Sequence, residues 1–103
     1  MNSQTRRWIV RGQVQGVAFR AYTVEKAKEL NLLGWVRNLS TGEVEVLAQG
    51  NTNALDQLEV WLYQGAPAAR VAEVISDRAP YQELSGFEKI PNASKPEHFE
   101  FFK

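Results

Sequence analysis

Apolar and polar positions along this chain change their period several times, and each change marks an element. From Arg7 to Val14 the residues alternate, with Trp8, Val10, Gly12 and Val14 on one side and Arg7, Ile9, Arg11 and Gln13 on the other. A period of two with one apolar side describes a strand with one buried face. Met1 to Thr5, ahead of it, is polar and predicts a frayed end. From Ala21 to Leu30 the period lengthens: Val24, Ala27 and Leu30 recur three apart, while Glu25, Lys26, Lys28 and Glu29 lie between them. That spacing predicts a helix with a solvated, charged face. Asn31 follows it and suits the left-handed backbone that closes a helix.

Strand-like runs return at Leu33 to Leu39 and Glu43 to Gln49, joined by Ser40-Thr41-Gly42, and together they predict a β-hairpin. Asn38 then falls at the end of a strand, beside the turn. Gly50 to Asn53 offers capping residues for a second helix, Ala54 to Gln64, which carries Leu55, Leu58, Trp61 and Leu62 at helical spacing and closes at Gly65 and Pro67. Its stripe predicts core, and Trp61 fits core or rim packing better than ligand stacking. Arg70 to Ser76 predicts a fourth strand whose two faces separate less cleanly. Asp77 to Ser85 reads as an irregular connection, and Phe87 to Ile90 as a short last strand.

This order of elements predicts an α+β, ferredoxin-like split βαβ sandwich (βαββαβ): an antiparallel sheet with two helices on one face. Right-handed crossovers let Gly12 to Arg20 meet the end of the second strand at one edge. Residues 1–90 are expected to form this domain and 91–103 an atypical tail. Pro91 to Pro96 is linker-like, and Phe99, Phe101 and Phe102 are expected to pack back on the domain or onto a partner.

Composition narrows the chemistry. Among 103 residues, 44% hydrophobic and 23% charged describe one globular domain. Twelve Lys and Arg balance twelve Asp and Glu, so no net field draws in nucleic acid or an acidic membrane, and any anion site is local. There is no cysteine, which removes disulfides, thiolate zinc sites and cysteine nucleophiles. The single histidine, His98, stands in the tail and makes neither a metal site nor a triad. Arg6 and Arg7 are followed by no long apolar run, so neither a signal peptide nor a membrane span is expected, and the location expected is cytoplasmic.

One stretch carries candidate chemistry: Gly-Gln-Val-Gln-Gly-Val-Ala-Phe-Arg at Gly12 to Arg20, where a strand passes into a helix. A glycine-punctuated turn feeding a helix leaves backbone N–H groups pointing together at the positive end of the helix dipole, a site suited to phosphate or carboxylate. Gly16 can adopt positive φ and come close to a ligand, and Arg20 adds a charged fork able to hold two oxygens. The same residues also read as an ordinary strand-to-helix turn with a surface arginine, and Asn38 as a turn-former. The glycine spacing matches neither the P-loop nor the dinucleotide fingerprint.

Val14-Gln15-Gly16-Val17-Ala18-Phe19-Arg20, then Gly34-Trp35-Val36-Arg37-Asn38, then Gly42-Glu43-Val44-Glu45, resemble the paired signatures of the acylphosphatase family, in order and in spacing, with similarity from about Trp8 to Ile90. The resemblance implies a small monomeric enzyme that hydrolyses the carboxyl–phosphate bond of acyl phosphates without metal or other cofactor. By similarity, Arg20 and the N–H groups of Gln15, Gly16, Val17, Ala18 and Phe19 would bind the phosphoryl group, and Asn38 would orient the attacking water. Such chemistry needs no histidine, because the leaving carboxylate departs without a proton. The competing expectation is a non-catalytic module of the same fold that binds phosphate or carbamoyl phosphate. A nucleic-acid-binding domain of this fold would be expected to carry a basic sheet face with interleaved aromatics, which is absent here.

Overall fold

The computed structural model describes residues 3–99. Its elements are β1 (Ser3–Gln13), α1 (Phe19–Glu29), β2 (Leu33–Asn38), β3 (Val44–Asn51), α2 (Thr52–Gln64), β4 (Arg70–Arg78) and β5 (Phe87–Lys89). The strands form one sheet in the order β4-β1-β3-β2-β5. This is the expected α+β arrangement, with one addition: β5 joins the edge of the sheet parallel to β2, while the other pairs are antiparallel. No described helix is long and apolar enough to cross a membrane.

One face of the sheet, with Trp8, Val10, Val36, Val44, Val46 and Ala48, forms a continuous buried core with Phe19 and Ala27 of α1 and Leu55, Leu58 and Leu62 of α2. The buried stripe of α1 runs Phe19, Thr23, Ala27, with Val24 and Leu30 only partly covered. A threonine interrupts the apolar pattern there without cost, because its hydroxyl donates back to the carbonyl of Phe19 at 2.8 Å. Trp61 packs its ring 5.9 Å from that of Phe19, at the rim of the core as expected. Asn31 has φ 60, and the N–H groups of Asn31 and Leu32 return to the carbonyls of Lys28 and Ala27, the paired bonds of a Schellman cap.

Several boundaries differ from the sequence pattern for physical reasons. Ser3 to Thr5, expected to be frayed, extend β1 against β3, and the hydroxyl of buried Thr5 donates to the side chain of Gln49. The blurred faces of β4 come from a register shift: Arg11 pairs with Glu73 and Gly12 with Val71, leaving Ala72 as an extra residue. A bulge of this kind puts Val71 and Val74, three apart, both against the core.

The other face of the sheet carries no helix, yet it is covered. The backbone N–H of Gln82 donates to Gln49 Oε1, and Gln49 Nε2 donates to the Gln82 carbonyl, so the irregular connection lies over β3. Glu45, fully buried, accepts from Arg7 Nη1 at 2.9 Å, Arg37 Nε at 2.7 Å and the backbone N–H of Glu97 at 2.9 Å. Arg7 also reaches Asp77 and stacks its guanidinium 5.0 Å from the ring of Phe99. The segment between is tied to the edge of β2: Ile90 N–H donates to the Val36 carbonyl, Ala93 N–H to that of Asn38, and Ser40 N–H to that of Ala93. Phe101 and Phe102, also expected to pack, lie outside the described residues.

Candidate functional site

The turn between β1 and α1 takes its shape from two left-handed residues. Gly16 has φ 75, and a Cβ built on it would meet nothing within 4 Å, so the missing side chain leaves its backbone open to a ligand. Ala18, the residue that caps α1, has φ 60 and ψ 23 and offers no side-chain cap. A non-glycine residue in this region is strained by about 1–2 kcal/mol, a kind of strain concentrated at ligand-binding turns. Among the described residues no acceptor is found for the backbone N–H groups of Gly16, Val17, Ala18, Phe19 and Arg20. A run of unmet donors at a helix N-terminus is an anion-binding concavity.

Asn38 faces this turn from the end of β2. A cavity of about 190 Å³ is lined by Val14, Gly16, Ala18, Phe19, Arg20, Ala21, Asn38 and Lys89. The two stretches expected to meet at one edge of the domain therefore share a single concavity. Asn38 is only 9% exposed, and its Oδ1 is buried with no hydrogen-bond partner among the described residues. A buried carbonyl oxygen left unmet costs about 1–3 kcal/mol, so an unmet one on a residue lining a ligand-sized cavity points to a side chain kept for something other than stability.

Gln15 and Val17 do not line the cavity. Gln15 instead sends its amide across the gap, Nε2 donating to the carbonyls of Leu39 and Glu43, both at 2.8 Å. Because those carbonyls flank the β2–β3 turn, this one side chain fixes the distance between the turn at Gly16 and the strand end at Asn38. Val17 packs against the core. On the far side, Gly42 of the hairpin connection takes φ 99, as the sequence pattern expects, and Thr41 and Arg11 both hydrogen-bond Glu43. The Arg11 guanidinium holds the Glu43 carboxyl below the usual range, a shift that desolvation only partly opposes.

Lys89 belongs to the lining and was not singled out by the sequence pattern. Strand alternation does point to it: Phe87 is in the core, so Lys89, two residues on, follows it onto the helix-bearing side. What the pattern lacked was the parallel pairing of β5 with β2, which brings that end of the chain beside Asn38. Arg20 and Lys89 form no ion pair among the described residues, and no carboxylate lines the cavity. The concavity is thus cationic inside a chain of zero net charge.

Comparisons with known proteins bear on the family and the fold. Residues 6–89 match the family profile described as Acylphosphatase. An acylphosphatase of Nitrosococcus oceani is 48% identical over 82 residues, spanning 80% of this chain and 92% of that protein. The solved structure of an acylphosphatase from Coxiella burnetii superposes with a TM-score of 0.84 at 39% identity, over 86% of this chain and 94% of that one. The crystal structure of acylphosphatase from Bacillus subtilis does so with a TM-score of 0.80 at 34% identity, over 84% and 97%. With the profile matched over most of its length, and with close relatives nearly as long as itself, this chain belongs to the acylphosphatase family.

Proposed function

We propose that this protein hydrolyses small acyl phosphates to a carboxylate and inorganic phosphate. The observation that carries the reading is the meeting in one cavity of unmet donors and a polar side chain: the N–H groups of the turn and Arg20 on one side, Asn38 on the other. The phosphoryl oxygens bind to the donors. The attacking water hydrogen-bonds the side-chain amide of Asn38, which directs the water's lone pair at phosphorus. As the new P–O bond forms, a proton of the water passes to a phosphoryl oxygen, and the bond to the acyl oxygen breaks with its electron pair leaving on the carboxylate. That group is a weak base, so no general acid is needed. Charge in such a loose transition state stays on the phosphoryl oxygens, where fixed N–H dipoles and a two-pronged guanidinium stabilise it.

In this reading a single chain contains the complete site, acts as a monomer in the cytoplasm, and needs no metal. The deciding measurement is steady-state hydrolysis of benzoyl phosphate with EDTA present, using Arg20→Ala as control. Turnover that survives the chelator and disappears in the variant supports the mechanism. A folded protein that binds phosphate but turns nothing over would instead make the cavity a binding site of the same fold.

A further inference from the structure

Lys89 has no task in the hydrolysis just described, yet it stands in the wall of the same cavity. Resting on that reading of the site, we propose that Lys89 is a specificity residue that selects acyl phosphates whose acyl group carries a carboxylate of its own.

The phosphoryl end is already provided for. In that reading its three terminal oxygens are met by the N–H groups of Gly16 to Arg20 and by the two-pronged Arg20 side chain. The acyl group must leave in another direction, and Val14, Gly16, Ala18, Phe19 and Ala21 offer it no charge. Lys89 is the exception. It stands on β5 opposite Val36, two residues short of Asn38 in the neighbouring strand, and is exposed at the cavity rim without a carboxylate partner among the described residues. Its strand neighbour Glu88 alternates to the opposite face of the sheet. An ammonium on a long flexible stem recognises a carboxylate as a point charge over a range of positions, which suits a group at the far end of a substrate better than it suits a fixed phosphoryl oxygen. A neutral acyl group would leave this cation to water.

The test compares two substrates that differ by one carboxylate substituent, benzoyl phosphate and 3-carboxybenzoyl phosphate, at low ionic strength. The wild-type protein should favour the carboxylated substrate by about fivefold in kcat/KM, the scale of a partly exposed ion pair. In Lys89→Gln that ratio should fall to about one, in Lys89→Glu below one, and in the wild type it should shrink as salt is raised. A ratio near one in the wild type, or one that survives Lys89→Gln, overturns the proposal. So does an equal loss on both substrates with the ratio kept, which would put Lys89 on the phosphoryl group. Calorimetric binding of benzylphosphonate and 3-carboxybenzylphosphonate reads the same ratio without turnover. A wild-type protein that hydrolyses neither substrate therefore refutes the hydrolase reading, while the phosphonate ratio still decides the role of Lys89.

Discussion

Arginine meets two quite different surroundings in this molecule. On the helix-free side of the sheet, Arg7 and Arg37 close on fully buried Glu45, and the backbone of Glu97 adds a further donor. At the β1–α1 turn, Arg20 lies half-buried beside a row of backbone N–H groups and a second cation, with no carboxylate partner among the described residues. The first cluster has answered its charges internally and can only hold the fold. The second keeps its donors unanswered, and the free energy they withhold from folding is available to an anion. Even unmet atoms differ in kind. Arg7 Nε is a surplus donor in a cluster otherwise paired, whereas Asn38 Oδ1 is an unmet acceptor on a residue that lines a cavity.

Substitutions should separate the two clusters cleanly. The largest effect is expected from Arg20→Lys: a fall of about 10²- to 10³-fold in kcat/KM for benzoyl phosphate, with the melting temperature unchanged, because a point charge replaces a fork that supports no other side chain. Near-normal turnover would remove Arg20 from the phosphoryl site. Glu45→Ala should do the reverse, lowering stability by about 3 kcal/mol in urea titration as two partly buried guanidinium groups lose the buried anion they share, while the folded fraction keeps its activity.

Asn38→Ala sharpens the contrast further. Turnover should drop by about 10²-fold with little change in phosphate affinity. Stability should hold or rise, because the variant deletes an acceptor that is buried without a partner. A marked loss of phosphate binding would contradict a role in orienting water.

Much of this arrangement was legible in the residues. The periods of two and 3.6 marked every element in order, Gly16 and Arg20 stood out by type and position, and Asn38 stood out through the resemblance to acylphosphatases. What escaped had no local signal. Ala18 has no propensity for left-handed backbone and adopts it only because the turn and helix on either side demand it. Lys89 needed the parallel pairing of β5, a contact between distant parts of the chain. Thr23 hid the true stripe of α1 by carrying its own hydrogen bond. The cover over the helix-free face depends on a few scattered bonds at Gln82 and Glu97, which no period announces.

Two smaller effects test the edges of the comparison. Deleting residues 91–103 should lower stability by about 2 kcal/mol, since backbone bonds at Ala93 and Glu97 are lost, and an unchanged melting temperature would show those bonds contribute nothing. Smallest is a pH effect at the β2–β3 turn. The Glu43 carboxyl is held below its ordinary value by Arg11, so its contribution to stability is present above about pH 4.3 and is lost as pH falls through the lowered value. Glu43→Gln should therefore melt earlier than the wild type near neutrality, and the gap should close on acidification. A gap independent of pH would mean the ion pair is not its cause.

The parallel docking of β5 also sets a timetable. A chain emerging from the ribosome would have the turn, both helices and four strands in hand before Lys89 appears, and before Ala93 can grip the backbone of Asn38. Until that last stretch arrives, the edge of β2 stands bare and the cavity lacks a wall. A domain generally folds as a unit, so one whose last strand forms a wall closes only when that strand is available. Competence to bind an anion in the fully walled cavity would thus be acquired late in synthesis, almost at the moment the whole sheet is sealed.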